Sequence, residues 1–314
     1  MTARTPSLLL VVPLSWAGLW TTPLSKSGLN VLVHGRDAYA PAQVDYVLSF
    51  RPPPGLLKTL PNLKAVFSLG AGVDGFLADP EFPSRVPLVR FVNDQLSTEM
   101  AQYIVLQVLL FHRAQDSFDK AQAEHKWRQA MLARPTDRTR IGILGLGEIG
   151  AMAAQRLRDL GFPVAGWSRT PKQVRGVESF SGKDAFKPFL ARTDILICLL
   201  PLTPDTRHIL NRETFAALPR GAFVINAARG SHQVEADLIA ALDSGQLAGA
   251  ALDVFETEPL PEDNPLWAHP KVRVTPHIAA ISDPAITVAM VLEGIARRES
   301  GKPLENVVDL SRGY

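Results

Sequence analysis

"RIGILGLGEIGAMAAQRLRDLG", residues 140–161, sets Gly145, Gly147 and Gly150 in G-x-G-x-x-G register. An apolar run precedes the glycines and an alanine-rich helical pattern follows, so the stretch reads as strand, tight turn and helix. In that setting Gly145 makes the turn, Gly147 lets the backbone approach a pyrophosphate, and Gly150 lets helix and strand pack closely. The phosphates then meet the helix N-terminus, which makes Gly145, Gly147, Glu148 and Ile149 the expected dinucleotide contacts. A glycine-rich turn without a ligand is the bland alternative, and the strand–helix context weighs against it.

The next strand, "FPVAGW", is expected to end at Trp167, and Ser168 lies 23 residues after Gly145. An NAD-binding unit usually carries an acid about 20 residues beyond the first glycine, where it grips the ribose hydroxyls. Here "GWSRTPK", residues 166–172, offers Ser168, Arg169 and Thr170 instead, with Lys172 nearby. An acid would repel a 2′-phosphate, whereas a guanidinium grips one by a fork and two hydroxyls can donate to it. NADP(H) is therefore the expected cofactor, with NAD(H) the weaker alternative. An ordinary solvated arginine at 169 is the competing reading.

Outward from this unit, short apolar β-branched runs alternate with helical patterns, the signature of βαβ units and parallel sheets. "LLLVV", "NVLVHG", "DYVLSF" and "LKAVFSLG" read as strands of a first series. "RIGILG", "FPVAGW", "DILICLL", "AFVINAA", "GAALDVF" and "VRVTPH" read as a second. Ser97 is expected to cap a long amphipathic helix where the series meet, with Ile104, Val108 and Phe111 on one face. Val234, Leu238, Ala241 and Leu242 share a helix face ahead of Gly245. Asp283 and Pro284 open a last helix that Gly301 closes. The expected fold is α/β: two Rossmann-like domains with doubly wound parallel sheets and a cleft between them. Residues 1–99 and 280–314 are expected to form a discontinuous substrate-binding domain, and 100–279 an NAD(P)-binding Rossmann domain.

Bulk composition narrows the function. Lys+Arg number 33 against 31 Asp+Glu, a formal charge of +2 with no basic stripe, so nucleic acid is not an expected partner. Pro13 breaks the N-terminal apolar run, no stretch approaches about 18 uninterrupted apolar residues, and "LLLVV" reads as a buried strand rather than a signal segment or membrane span. The single Cys198 sits in an apolar run and excludes an internal disulfide, so a cytoplasmic location is expected. No metal site is assigned.

Three polar residues follow apolar strands, where open α/β sheets place their ligands. "AFVINAARG" leads to Arg229, "ALDVFETEPL" through Asp253 to Glu258, and "VRVTPHIAA" to His277. Their types suit reduction of a 2-oxo acid. Hydride arriving at a ketone carbon leaves charge on oxygen, which a protonated imidazole neutralises. A carboxylate beside an imidazole favours its protonated form and orients it. A guanidinium holds the substrate carboxylate and polarises the carbonyl. Singly, each residue has an ordinary structural explanation; jointly, beside a nicotinamide fold, catalysis is the better reading. In "SLGAGVD", residues 68–74, a strand ends at a glycine-rich turn whose backbone N–H groups at Ala71, Gly72 and Val73 can take a carboxylate. Arg51 is as readily a solvated loop residue as a substrate contact.

These stretches resemble the D-isomer-specific 2-hydroxyacid dehydrogenases, in the branch that reduces glyoxylate and hydroxypyruvate. "AVFSLGAGVDGFL", "IGILGLGEIG", "WSRTPK", "NAARG", "LDVFETEPLPEDNPLWAHP", "TPHIAAI" and the closing "SRGY" carry the similarity over almost the whole chain. The resemblance implies that Arg229 anchors substrate, that Glu258 is the carboxylate partner and that His277 is the acid/base. It implies that Asp253, Ala227 and Ala228 face the nicotinamide side, and that Leu200 and Pro201 line the adenosine side. A homodimer is implied, with Trp127 on a dimerisation arm; no role is assigned to Tyr314. The implied reaction is NADPH-dependent reduction of a small 2-oxo acid, glyoxylate or hydroxypyruvate, to glycolate or D-glycerate. A larger 2-oxo acid such as phenylpyruvate is one alternative. A dinucleotide-sensing binding protein of the corepressor type is another, although no long polar tail accompanies this sequence.

Overall fold

The structure, a computed structural model, describes residues 4–129 and 134–313, so Tyr314 lies outside the described residues. The chain divides into two compact units. One runs up to Asn93 and resumes at Ser282; the other is Asp94–Ile281.

In the first unit the elements are β1 (Ser7–Val11), α1 (Ala17–Ser25), β2 (Asn30–Val33), β3 (Tyr46–Ser49), β4 (Ala65–Ser68), α2 (Asp74–Leu77) and β5 (Leu88–Val89). The strands form one parallel sheet in the order β2-β1-β3-β4-β5. A parallel sheet is covered on both faces, which is why "LLLV" is apolar throughout rather than alternating. Leu8, Leu10, Tyr46, Leu48 and Phe67 fill one side, and Leu9, Val11, Val47 and Val66 fill the other. β5 escaped the sequence reading because two residues are too few to show a period.

The second unit holds α3 (Asp94–His112), α4 (Gln115–Ala123), β6 (Ile141–Leu144), α5 (Glu148–Asp159), β7 (Val164–Ser168), β8 (Glu178–Ser181) and α6 (Phe186–Ala191). It continues with β9 (Ile195–Cys198), α7 (Arg212–Ala217), β10 (Ala222–Asn226), α8 (Glu235–Asp243), β11 (Leu247–Leu252) and β12 (Val272–Val274). Its parallel sheet runs β12-β11-β10-β9-β6-β7-β8. Strand order therefore reverses between β6 and β9, and the crevice outside their carboxyl ends is where such sheets bind ligands. β8, a polar edge strand, was not expected.

Two local expectations need correction. β7 extends one residue past Trp167 and includes Ser168. α3 begins at Asp94, so Ser97 is not its cap but a buried residue inside its first turns. The helix ends at His112, with Ala101, Ile104 and Val108 in the same core as Ala153, Ala154 and Leu157 of α5.

A final helix, α9 (Pro284–Glu299), belongs to the first unit. Asp283 caps it, accepting from the Ala285 and Ile286 amides at 2.8 and 3.1 Å. Val288, Val291 and Ile295 bury its apolar stripe beside Trp20 and Leu24 of α1. Among the described residues no helix is long and apolar enough to cross a membrane.

Candidate active site

The glycine turn after β6 has three different steric requirements. Gly145 sits at φ +100°, and a Cβ there would lie 2.8 Å from the Leu199 carbonyl oxygen. A Cβ on Gly150 would lie 1.8 Å from the Gly145 carbonyl oxygen, so only glycine lets α5 start this close to the turn. Gly147 is extended, and a Cβ there would meet nothing within 4 Å. Its missing side chain thus serves no internal packing; it leaves room over the N-terminus of α5, where the first amides have no partner within the helix. Gly145, Gly147, Glu148 and Ile149 form a cradle that fits a pyrophosphate.

At the end of β7 the polar residues separate into two groups. Ser168 is buried and its hydroxyl donates to the Thr170 carbonyl at 2.8 Å. That bond closes the turn that presents the residues following it. Arg169, Thr170 and Lys172 are exposed. No acid stands at 168–170 to exclude a phosphate. After β9, Leu200 is buried and Pro201 is exposed. The Pro201 carbonyl accepts from the Thr206 hydroxyl at 2.7 Å.

After β10 the chain turns around Asn226, which is fully buried. Its carboxamide accepts from the Ala228 amide at 3.2 Å and donates to the Arg229 carbonyl and Gln233 Oε1, both at 3.0 Å. One side chain thereby shapes Ala227, Ala228 and Arg229, and Arg229 Nη1 donates to the Ala228 carbonyl at 2.7 Å. The sequence reading missed Asn226 and Gln233, since a strand-end amide looks like any other until its partners are seen.

Glu258 and His277 meet. Glu258 Oε2 lies 2.8 Å from His277 Nδ1, and Oε1 accepts the Phe255 amide at 3.0 Å. An ionised carboxylate only accepts, so Nδ1 carries its proton and Nε2 is the ring nitrogen turned away from Glu258. Burial pushes the Glu258 carboxyl up. The His277 ring, the Phe255 amide and the charges of His277 and Arg229 outweigh that and hold it below the ordinary glutamate value. Arg229 is thus near enough to favour the ionised Glu258 carboxylate.

His277 has φ +54°, left-handed for a residue with a Cβ. Such a backbone costs on the order of 1–3 kcal/mol and persists only where its surroundings over-determine it. Asp253, 1% exposed, supplies much of that determination. Its carbonyl accepts the His277 amide at 2.8 Å; its carboxylate accepts the Ile278 and Ala279 amides at 3.0 Å and the Thr275 hydroxyl at 2.6 Å. Burial raises the Asp253 carboxyl above its ordinary value despite these donors. Asp253 was expected on the nicotinamide side of a cofactor; the bonds seen here go to the loop that carries His277.

The remaining expected residues lie in the first unit. Among the described residues, the amides of Ala71, Gly72 and Val73 donate no hydrogen bond. The flanking glycines make room for neighbours: a Cβ on Gly70 would lie 3.1 Å from the Phe50 ring, and one on Gly75 3.0 Å from Arg51 Nε. Arg51 therefore packs beside this loop. Among the described residues no group of three His, Cys or acidic side chains is placed to hold a metal ion.

The Asp94–Ile281 unit thus has the topology and glycine turn of a dinucleotide-binding domain, with a guanidinium, a carboxylate and an imidazole at its strand ends. Residues 105–279 match the family described as D-isomer specific 2-hydroxyacid dehydrogenase, NAD binding domain. The chain belongs to that family. It is 43% identical over 275 residues to glyoxylate/hydroxypyruvate reductase A of Yersinia enterocolitica, covering 86% of this chain and 88% of that one. A D-isomer specific 2-hydroxyacid dehydrogenase of Xanthobacter autotrophicus, solved with NADPH and MES, superposes with a TM-score of 0.92 at 43% identity. That match covers 99% of this chain and all of the other. The NADPH-dependent glyoxylate/hydroxypyruvate reductase of Sinorhizobium meliloti, solved with NADP and sulfate, gives 0.91 at 41% identity, with 99% of this chain and 100% of that one covered.

Proposed function

We propose that this enzyme uses NADPH to reduce a small 2-oxo acid, glyoxylate or hydroxypyruvate, to glycolate or D-glycerate. The observation that carries the reading is the 2.8 Å Glu258–His277 pair, under the charge of Arg229, in the unit whose glycine turn forms the cradle. The NADPH-bound relatives and the absence of an acid after β7 support the choice of cofactor.

NADPH, when bound, would supply the hydride for the 2-oxo carbon. Arg229 holds the substrate carboxylate and draws electron density toward the carbonyl oxygen. His277 donates the Nε2 proton to that oxygen as its charge develops, giving the hydroxyl. Glu258 keeps Nδ1 protonated, aims the ring and stabilises the imidazolium before the proton leaves. Asp253 holds the backbone of the His277 loop, while Ala227 and Ala228 would border the nicotinamide. Arg169 and Thr170 would take the 2′-phosphate, and Leu200 and Pro201 would flank the adenosine. The amides of Ala71, Gly72 and Val73 form a second carboxylate-binding element, which makes theirs the substrate-binding unit. A cytoplasmic homodimer completes the reading; the dimer is supported by Trp127, a large apolar side chain 93% exposed beyond α4.

The test is a paired assay of NADPH and NADH with glyoxylate, hydroxypyruvate and phenylpyruvate. Higher kcat/KM with NADPH and with the two smaller acids is expected. Arg169→Asp should lower the NADPH/NADH ratio of kcat/KM by at least about tenfold, the equivalent of removing one charge-assisted hydrogen bond. An unchanged ratio contradicts the phosphate assignment, and phenylpyruvate as the best substrate contradicts the choice of acid.

A further inference from the structure

The left-handed backbone of His277 is braced from outside its own strand. His277 lies in the segment 275–281 that follows β12, and both ends of that segment are tied to one face of α3. At the front, Tyr103 Oη lies 2.9 Å from Thr275 Oγ1. Thr275 Oγ1 itself donates to Asp253 Oδ1 at 2.6 Å, so its single proton is spent and Tyr103 must be the donor. At the back, Glu99 Oε2 accepts the Ile281 amide at 3.0 Å, while Glu99 Oε1 takes the Gln95 carboxamide. Glu99 and Tyr103 are one turn apart on the same helix and share a face. Between the two ties, Asp253 holds the Ile278 and Ala279 amides.

We propose that Tyr103, acting through Thr275, and Glu99, acting through the Ile281 amide, are positioning residues for His277, with α3 serving as a splint along the catalytic loop. The inference rests on His277 being the proton donor. Tyr103 suits this role because burial pushes its phenol up to about 12, so it stays a hydrogen-bond donor at any working pH. Neither residue contacts a reacting group. Their contribution is the direction of Nε2, and a small angular error there slows proton transfer without touching the cofactor site. Misplacement of a catalytic group by about 1 Å can cost 10²-fold in rate.

The experiment compares Thr275→Val, which keeps shape but removes the hydroxyl, with Thr275→Ser, which keeps the hydroxyl, alongside Tyr103→Phe and Glu99→Ala. Each full-length variant is assayed for NADPH-dependent glyoxylate reduction, for NADPH dissociation constant by fluorescence, and for melting temperature. Thr275→Val and Tyr103→Phe should lower kcat about tenfold. Their NADPH affinity should stay within about twofold, because the cradle is elsewhere. Thr275→Ser should retain wild-type kcat, and Glu99→Ala should lower kcat in the same direction. Wild-type kcat in Tyr103→Phe overturns the proposal, as does equal loss in Thr275→Val and Thr275→Ser. Should Thr275→Val fail to fold, Tyr103→Phe decides alone. A His277→Asn variant in the same assay separates the two levels: if it turns over normally the proton-donor reading fails, and if it is inactive while Tyr103→Phe is normal only the splint fails.

Discussion

Replacing His277 with asparagine should lower turnover of a 2-oxo acid by about 10²- to 10⁴-fold, the usual contribution of a positioned general acid. Asparagine is the informative substitution because it preserves most of what the structure asks of the position. It tolerates the φ of +54° better than other side chains, and its amide can still donate toward Glu258. What it lacks is a second, protonatable nitrogen facing substrate. The loss should therefore fall on kcat, with NADPH bound as in the wild type by fluorescence titration. Turnover within about tenfold of wild type would remove His277 from the mechanism.

Arg229→Gln should lower kcat/KM for glyoxylate by about 10²- to 10³-fold, comparable to losing one donor aimed at a developing oxyanion. The guanidinium is oriented before substrate arrives, by its own bond to the Ala228 carbonyl and by the Asn226 carboxamide that shapes this turn. Glutamine keeps a polar, uncharged end on a shorter stem and has neither the charge nor the forked donors. Arg229→Lys should recover little, because an ammonium cannot offer two parallel bonds to a carboxylate. Steady-state kinetics with glyoxylate, together with the NADPH dissociation constant, check both variants. A weaker grip on NADPH, with kcat/KM for the acid restored at saturating cofactor, would move Arg229 to the cofactor side.

Much of this molecule was legible before any coordinates. Apolar runs such as "LLLVV" and "DILICLL" announced strands because parallel sheets bury both faces, and ten of the twelve strands among the described residues were read from the sequence. The two missed, β5 and β8, are a two-residue strand and a polar edge. The start of α3 was misjudged because Ser97 is a good capping type; its burial inside the helix is a tertiary fact. At the site, residue type and strand-end position singled out Glu258 and His277, which lie in contact. The residues that hold them were invisible, since Tyr103 and Thr275 stand 172 positions apart and neither type signals catalysis. The bond from the Ser168 hydroxyl to the Thr170 carbonyl was equally invisible, because a hydroxyl's partner in a turn leaves no residue pattern.

In the proposed mechanism catalysis depends on where three side chains sit around a bound acid, and the most direct measurement is a crystal structure with NADP and oxalate, an unreactive stand-in for a 2-oxo acid. One oxalate carboxylate should lie on the Arg229 guanidinium, and an oxygen of the other should accept a hydrogen bond from His277 Nε2, within reach of the nicotinamide carbon. Oxalate seated away from both side chains, with the cofactor properly bound, would contradict the account.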